Sequence, residues 1–217
     1  MSPVLIFPLL LSSRGPIQTP RIGIRVFKTE QVMEVWGADR DSGPFRLLAT
    51  YPIAAMSGGL GPKRLEGDMQ APEGFYFINR FNPQSQFHLS LGINYPNSSD
   101  RKLGSTGHWG KDIFIHGNHV SAGCLAMTDP VIDVIYRLAS HARDDGQRAI
   151  PVSIFPCRLT SANWNALNRQ YANRPDLVRF WSTLRPAYTS FEQSHLWPLP
   201  HVDSGGYYCW PERRRAG

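Results

Sequence analysis

The sequence predicts a mixed domain, mainly β-structure with several helices. Three observations lead to this fold class: turn-forming residues are frequent, short apolar runs alternate, and the first convincing helical period comes only after residue 124. The 217 residues include 19 Gly and 18 Pro, which suits a chain with many turns better than a helical bundle. Hydrophobic residues make up 41% and charged residues 18%, so the chain has enough apolar side chains for a packed core.

The strands are predicted from period-2 alternation, which begins at Ile22, Ile24 and Val26. Further short apolar runs follow, separated by turn clusters at 37–44, 57–62 and 94–99. The predicted strands are 22–27, 32–36, 45–53, 74–78, 87–91, 112–116 and 150–155. The glycine-rich segment 57–62 lacks the Gly-Lys-Ser/Thr of a phosphate-binding loop, so its glycines are interpreted as turn residues.

A helix is predicted directly after residue 124. Thr128 and Asp129 offer a cap, and Pro130 fits the first helical turn. Apolar residues then recur three and four positions apart on one face. They are Val131, Val134, Ile135, Leu138 and Ala139. Gly146 provides the stop, the pattern of 161–185 predicts two short helices, and the last thirty residues are expected to be irregular.

The chain is divided into three parts at this stage. Residues 1–20 form an apolar leader, 21–158 the main domain, and 159–217 a helical and aromatic extension packed on it. The run at 4–11 fits the apolar region of a secretory signal, but no basic residue precedes it. The remnant of a signal and a merely apolar leader therefore remain equally favoured. No stretch approaches the ~18–20 apolar residues of a transmembrane helix.

The charge of the chain favours acidic partners. It carries 23 Lys+Arg against 17 Asp+Glu, a formal net charge of +6, and its pI is near 9.5. Nucleic acid and an anionic cell-wall polymer are both attracted by such a charge. The sequence has no zinc finger, basic heptad helix or aromatic RNA-binding signature, so nucleic acid is not expected as a partner. The run Arg213–Arg215 is interpreted as a solvated tail.

Residues 115–124 concentrate the side chains that carry chemistry. His116 ends a predicted strand, Gly117 releases the backbone, and Cys124 precedes the predicted helix. Cysteine catalysis requires a thiolate, a base that takes its proton and donors for an oxyanion. A position near a helix start favours the thiolate form of Cys124, and Gly123 lets the neighbouring amides turn towards an oxyanion.

Other interpretations of these residues stay open on chemistry alone. A cysteine or histidine in this position is often structural. His116, His119, Cys124 and the nearby His108 are also metal-ligand types at short spacing, although no Cys-x-x-Cys is present. Ser121 lacks the Gly-x-Ser-x-Gly context of a serine hydrolase. Thiol catalysis is favoured over a structural role, and both are favoured over a metal site.

Two sequence blocks together resemble the L,D-transpeptidase catalytic domain (YkuD) family, in its YafK-like branch. The first block is Ser57-Gly58-x-Leu60-Gly61-Pro62-Lys63, followed by Glu66-Gly67-Asp68-x-Gln70-x-Pro72-Glu73-Gly74-Phe75-Tyr76. The second is His116-Gly117, then Ser121-x-Gly123-Cys124-x-Ala126-Met127-Thr128-Asp129. The resemblance spans 22–158. It implies a sandwich-like or barrel-like β core with a helix after the catalytic cysteine and helices near the C-terminus.

The resemblance also implies roles for the residues of the second block. Cys124 would be the nucleophile and His116 the general base, with the Gly117 carbonyl orienting the imidazole in place of a triad carboxylate. The amides of Gly123 and Cys124 would hold the oxyanion. Ser121 would support the loop.

Three residues are expected at the substrate: Phe75, Tyr76 and Asn118. The chain also departs from the broad family pattern. Ala122 stands where many members have His, and Ala126 stands where many have Arg. The missing arginine leaves open how the substrate carboxylate is held, and hence whether transfer or hydrolysis dominates.

The function implied by the resemblance is acyl transfer or hydrolysis on peptidoglycan stem peptides that contain diaminopimelate. The YafK-like branch includes an amidase that frees lipoprotein from peptidoglycan, so wall-attached lipoprotein is a second expected partner. No metal or organic cofactor is implied, and the expected location is the periplasm or cell envelope. Cys124 is expected to be unpaired, leaving Cys157 and Cys209 as the only pair for a disulfide.

Two other functions remain as alternatives at this stage. One is a catalytically silent module that binds peptidoglycan. The other is an exported enzyme that acts on a competitor's wall. Intact His116 and Cys124 argue against the silent module, whereas the sequence does not separate self-directed from competitor-directed activity.

Overall fold

The computed structural model describes residues 21–39, 43–105, 107–110 and 112–210. The interpretations of the leader and of the Arg213–Arg215 tail lie outside these residues. The strands are β1 Arg21–Phe27, β2 Val32–Ala38, β3 Arg46–Pro52, β4 Gly74–Ser85, β5 His88–Ile93, β6 Phe114–His116, β7 Leu125–Ala126, β8 Ile150–Phe155, β9 His201–Val202 and β10 Tyr208–Cys209. The helices are α1 Ser98–Leu103, α2 Asp129–Asp144, α3 Ser161–Gln170 and α4 Pro175–Ser194.

Eight strands form one mixed sheet in the order β3-β2-β1-β8-β4-β5-β6-β7. The pairs β1–β8 and β6–β7 are parallel, and the other neighbours are antiparallel. Register shifts within β2–β3 and β4–β5 bend the strands, as β-bulges do. The expected mainly β core with helices is therefore present, as a half-barrel made from a single curved sheet.

The chain segment that follows β3 reaches the β7 edge of this sheet beside Cys124. The chain leaving β3 turns back, and Ala55 forms an antiparallel bridge with Ala126 of β7. The Ala54 N–H donates to the Ala126 carbonyl at 2.8 Å, and the Ala126 N–H donates to the Ala55 carbonyl at 3.0 Å. Of the two predicted shapes, sandwich-like or barrel-like, this closure corresponds to the second.

Helix α2 covers one face of the sheet. Its buried residues Ile132, Ile135 and Ala139 pack into a core with the alternating side chains of β1, β4 and β8. The predicted helix is confirmed, although only Ile135 and Ala139 of the five predicted face residues are fully buried. The chain turns at Gly146 with a φ of +101°. Thr128 holds the N-cap position, but its side chain makes no capping hydrogen bond. Its N–H is instead donated to the Asn118 carbonyl, because this residue links the helix to the loop after β6.

Helix α4 covers the opposite face. Its buried Trp181 and Tyr188 pack with Phe27 of β1 and Phe155 of β8. Arg25 enters this apolar region with only 2% of its surface exposed. Its guanidinium pairs with Glu34 at 3.5 Å and with Glu192 of α4 at 2.8 Å. The second face is thus held by both aromatic packing and a buried cation.

Several boundaries differ from the sequence-based expectations. Strand β4 continues to Ser85 because it forms a hairpin with β5. The predicted turn at 94–99 contains the start of α1. Asn97 and Asp100 cap the N-terminus of this helix with a reciprocal capping box. Helix α4 is 20 residues long and includes Pro186, and the predicted irregular tail contains the β9–β10 hairpin. Within the described ranges, no helix is both long and apolar enough to cross a bilayer.

Candidate active site

Cys124 lies at the edge of the sheet, immediately before β7. Strands β6 and β7 pair in parallel, with Ile115 opposite Leu125 and His116 opposite Ala126. Extending this register places Cys124 opposite Phe114, whose N–H donates to Sγ at 3.4 Å. His116 is then a diagonal neighbour on the same face, about 8 Å away between Cα atoms for one strand spacing and two residues. The parallel pair therefore brings the predicted thiol and imidazole together.

The His116 imidazole is oriented by its own neighbour in sequence. Its Nδ1 lies 2.6 Å from the Gly117 carbonyl oxygen. Because a carbonyl only accepts, Nδ1 carries the proton, and Nε2 of the neutral ring keeps its lone pair. The side chain is buried, with 2% of the residue exposed, and the Phe87 ring lies 4.8 Å from it between centroids.

Burial shifts both groups towards their neutral forms. Desolvation lowers the pKa of His116, and the hydrogen bond to the Gly117 carbonyl opposes this shift. Desolvation raises the pKa of the Cys124 thiol, and the negative charge of Asp112 raises it further. The Phe114 N–H and the ammonium of Lys63 act against this shift, because both lower the thiol pKa. The site therefore rests as a thiol beside a neutral imidazole.

The turn before Cys124 is held by two serines. Ser121 Oγ donates to the Cys124 carbonyl at 2.7 Å, and the Gly123 N–H donates to Ser57 Oγ at 2.6 Å. Gly123 has a φ of +102°, where L side chains are strained, and a Cβ there would lie 3.2 Å from the Gln70 carbonyl oxygen. Among the described residues, the Cys124 N–H has no hydrogen-bond acceptor.

The loop that carries Ser57 is anchored from beneath. Gln70 donates to the Gly59 and Gly61 carbonyls at 2.9 Å. Glu73 accepts from the Gly61 N–H at 2.8 Å and pairs with Lys28, which directly follows β1, at 3.1 Å, where both side chains are almost fully buried. The loop position that determines the Ser57–Gly123 contact is thus fixed by buried hydrogen bonds.

The sequence predicts no role for Ser57 or Lys63. Both lie in the first resemblance block, which was the only available signal for them. Ser57 contacts the turn beside Cys124, as described above. Lys63 is 5% exposed and binds Asp68 at 2.6 Å and the Leu65 carbonyl at 2.9 Å.

The three residues expected at the substrate lie in different surroundings. Phe75 packs edge-on against Phe155 and Tyr208. Tyr76 is 4% exposed and donates its hydroxyl proton towards Asp100 and the Glu73 carbonyl. Asn118 lies two residues beyond the end of β6, and its N–H donates to Asp129 of α2 at 2.7 Å. Of the three, Asn118 belongs to the loop between His116 and Cys124.

The other candidate residues do not assemble into a second site. Within the described ranges, no three His, Cys, Asp or Glu side chains lie close enough to hold a metal ion. The possible ligand set of His108, His116, His119 and Cys124 is therefore not assembled. All three cysteines are free thiols. Cys157 is buried and Cys209 is exposed, so the considered Cys157–Cys209 bridge is not formed.

Comparisons with known proteins identify the family of this chain. The sequence model of the family described as YkuD, L,D-transpeptidase catalytic domain, matches residues 21–154. An Escherichia coli K12 protein named "Putative L,D-transpeptidase YafK" is 39% identical over 186 residues, covering 85% of this chain and 72% of the relative.

Two solved structures have partly similar folds. The helical cell shape determining protein Pgp2 from Campylobacter jejuni is 18% identical, with a TM-score of 0.49, over 84% of this chain and 73% of that one. Bdellovibrio bacteriovorus Bd1075 is 26% identical, with a TM-score of 0.45, over 78% and 58% respectively. The family match and the relative at 39% identity confirm the resemblance seen in the sequence. This chain belongs to the YkuD family of L,D-transpeptidase catalytic domains.

Proposed function

We propose that this protein is a cysteine acyltransferase or amidase that acts on peptidoglycan stem peptides containing diaminopimelate. Family membership supports a peptidoglycan-modifying role. The observation that carries the proposal is that Cys124, directly before β7, and His116 of β6 lie diagonally on one face of the sheet, with Nδ1 of His116 directed to the Gly117 carbonyl. This leaves Nε2 as the base of the ring.

The proposed reaction has two acyl-transfer steps. His116 Nε2 takes the thiol proton as Cys124 Sγ attacks the carbonyl carbon of the diaminopimelate residue, forming a C–S bond and an oxyanion. The oxyanion collapses, the C–N bond breaks, and the leaving amine takes the proton from the imidazolium. The thioester is then resolved by an amine, which gives transpeptidation, or by water, which gives hydrolysis. His116 takes the proton of that acceptor and returns it to Sγ.

The oxyanion requires N–H donors near the thiol. The Cys124 N–H is the first candidate, because no described residue accepts from it. The Gly123 N–H is the second, and in the free protein it is donated to Ser57 Oγ. Rotation of the Ser57 side chain, which is a fast motion for a hydroxyl near the surface, would make this amide available. Donors of this type contribute about 2.7–4 kcal/mol each to the transition state in other enzymes.

The choice between transfer and hydrolysis depends on how the acceptor is held. Ala126 is fully buried in the sheet edge, so it supplies no charge to a substrate carboxylate. The lack of a charged group at this position favours water or a bulky amine as the acceptor of the acyl group, over a closely bound second stem peptide. Release of wall-attached lipoprotein is one reaction of this kind, and a site of action in the periplasm or cell envelope follows from the substrate.

The direct test is incubation of purified muropeptides with the wild-type protein, with Cys124→Ala and with Cys209→Ser. We expect an acyl adduct in intact-protein mass spectrometry, and new products, from the wild type and from Cys209→Ser, because Cys209 is an exposed thiol outside the site. Cys124→Ala should form neither. EDTA should leave the reaction unchanged.

Full turnover by Cys124→Ala would contradict the proposal. Muropeptide binding without an adduct or product from any of the three proteins would instead support a silent binding module. Dimeric products would identify a transpeptidase. A freed stem carboxylate would identify a hydrolase or amidase.

A further inference from the structure

A large cavity lies on the α4 side of the sheet, away from Cys124. Its volume is about 1080 Å³, at the upper end of the ~300–1,000 Å³ typical of small-molecule sites. One wall is the outward face of β4, with Phe77 and Asn79, and the opposite wall is the segment 196–200. Phe77 is 40% exposed and Leu199 is 77% exposed, so apolar surface lies open at the mouth.

The charged side chains among the described lining residues of this cavity are all basic. Arg21 and Arg101 line it together with the amide side chains of Asn79 and Asn94, and no described lining residue is Asp or Glu. Asn94 Oδ1 accepts from the Phe77 N–H at 2.8 Å, which fixes the orientation of that amide. The lining therefore suits an uncharged or anionic ligand with many oxygen acceptors, and it excludes a cationic one.

The cavity and the nucleophile lie on the same face of the sheet. Tyr76 and Ile78 of β4 are buried in the core under α2, so Phe77 and Asn79 point to the other side. Arg80 lies on that side too, because a Cβ at Gly92 would meet both Arg80 and Phe114. The Arg80 guanidinium also lies 5.0 Å from the Phe114 ring centroid.

The face therefore leads from Phe77 to Cys124. Arg80 pairs with Gly92, Gly92 pairs with Phe114, and Phe114 is opposite Cys124. Three strand spacings and three residues along β4 give a separation of roughly 17 Å between Phe77 and Cys124.

That separation matches the geometry of a stem peptide. In peptidoglycan, two amino acids and a lactyl group join diaminopimelate to the glycan sugar. An extended peptide spans about 3.3–3.6 Å per residue, so an attacked carbonyl at Cys124 places the first sugar at roughly the distance of the cavity. Sugar rings present C–H faces that pack on an aromatic ring, together with hydroxyl and acetamido groups that pair with amide side chains.

We propose that this cavity binds the sugar residues of the glycan strand to which the attacked stem peptide is attached. The inference rests on the proposed function and deepens it, since it specifies a glycan-linked stem as the substrate. Phe77 provides the apolar platform and Asn79 a hydrogen-bonding edge. Neither residue takes part in the acyl transfer.

The test measures binding and turnover separately. Titration calorimetry with the Cys124→Ala protein compares the disaccharide tetrapeptide with the free tetrapeptide. Phe77→Ala and Asn79→Ala are then introduced into both the Cys124→Ala and the wild-type proteins. Leu47→Ala serves as the matched control, because Leu47 is a similarly exposed strand residue on β3 (48%).

The disaccharide tetrapeptide should bind about tenfold more tightly than the free peptide, a difference of about 1.4 kcal/mol. Phe77→Ala should remove most of that difference and leave the affinity for the free peptide unchanged. The proposal is overturned if both ligands bind equally to the Cys124→Ala protein, or if Phe77→Ala weakens both alike. Turnover of the free tetrapeptide by the wild type tests the proposed function separately, since that substrate does not reach the cavity.

Discussion

Cys124 and His116, the proposed catalytic pair, are both neutral in the free protein. Burial lowers the pKa of His116, which disfavours the imidazolium, and raises the pKa of Cys124, which disfavours the thiolate. In the proposed reaction, the thiol proton therefore moves to His116 as the substrate carbonyl is attacked. Activity that needs neutral His116 should persist below pH 6.5, the ordinary pKa of histidine, and should be lost only at still lower pH.

The charge state predicts how Cys124 reacts with iodoacetamide. In a Cys209→Ser background, alkylation should accelerate with rising pH, with a midpoint above the ordinary thiol value, because only the thiolate reacts. Intact-protein mass spectrometry at a series of pH values measures this. A high rate that is already constant at pH 6 would show a preformed ion pair and contradict the neutral resting state. Cys157 should stay unlabelled, since burial raises its pKa to about 12.

Gly117 allows a close contact that no side chain permits. A Cβ at this position would lie 2.5 Å from Asp129 Oδ1 and 2.7 Å from the Phe87 carbonyl oxygen. We expect Gly117→Ala to cost about 1–3 kcal/mol of folding free energy through overpacking. It should also lower catalytic activity, because the carbonyl that orients His116 would move.

Thermal unfolding measures the first effect, with a Tm shift of roughly 2–4 °C per kcal/mol for a chain of this size. Gly59→Ala is the control, since a Cβ there meets nothing within 4 Å. Equal melting temperatures for the two variants would show that the contacts around Gly117 are not restrictive.

Among the structural elements, the loop between β3 and β4 depends on one buried ion pair. Lys28, at the end of β1, donates to the Gly61 and Ala71 carbonyls at 2.9 Å and pairs with Glu73. Glu73 also accepts from Trp181 Nε1 of α4 at 2.6 Å. The pair therefore joins the strand, the loop and the helix at one point, and through the loop it determines where Ser57 meets Gly123.

Removing one member of this pair should strongly lower the free energy of unfolding. Lys28→Met leaves the Glu73 carboxylate buried and uncompensated, and breaking such a pair costs about 3–5 kcal/mol. Urea unfolding measures the loss. Asp144→Asn breaks the exposed Arg143–Asp144 pair and should change stability by less than about 1 kcal/mol. Similar losses in the two variants would contradict a special role for the buried pair.

The elements that sequence periodicity predicts well are those with a regular buried face. Ile22, Ile24 and Val26 of β1, and the apolar face of α2, follow the expected spacing because each packs against a single core. The two-residue strand β7 has no such signal, since it is defined by its partners β6 and Ala55. Helix α1 was hidden in a predicted turn, because its capping box and not an apolar period establishes it.

The candidate site was predictable to the extent that it is local. Gly117, Gly123 and Cys124 lie within nine residues of His116, and the resemblance block contains them all. Ser57 is 66 residues from Gly123, so its contact depends on the fold of the intervening chain. The pKa shifts of Cys124 and His116 result from burial, which spacing alone does not encode.

In the whole molecule, the C-terminal helices complete the core of the sheet. Helix α4 covers Phe27 and Phe155, supplies Glu192 to Arg25, and supplies the Trp181 N–H to Glu73. A chain that ends at Arg158 would expose this aromatic surface and would remove one polar partner from each of the buried Arg25 and Glu73 side chains.

We therefore expect the truncated chain to aggregate or to lack cooperative unfolding, as measured by size-exclusion chromatography and circular dichroism. Co-expression with the fragment 159–217 should restore a soluble complex. A truncated chain that is monomeric and melts cooperatively would show that the sheet and α2 fold without the extension.

The bridge between Ala55 and Ala126 has a consequence for how a peptide can enter. An open edge strand offers a row of main-chain donors and acceptors, which invites strand addition by another chain and, in the worst case, fibrous association. Here the main-chain groups of Ala126 are already bonded to Ala54 and Ala55. A peptide therefore cannot extend the sheet beside Cys124 as an additional strand. We therefore expect a bound peptide to cross the face of the sheet, and the paired edge at Ala126 is not free to act as a template for self-assembly.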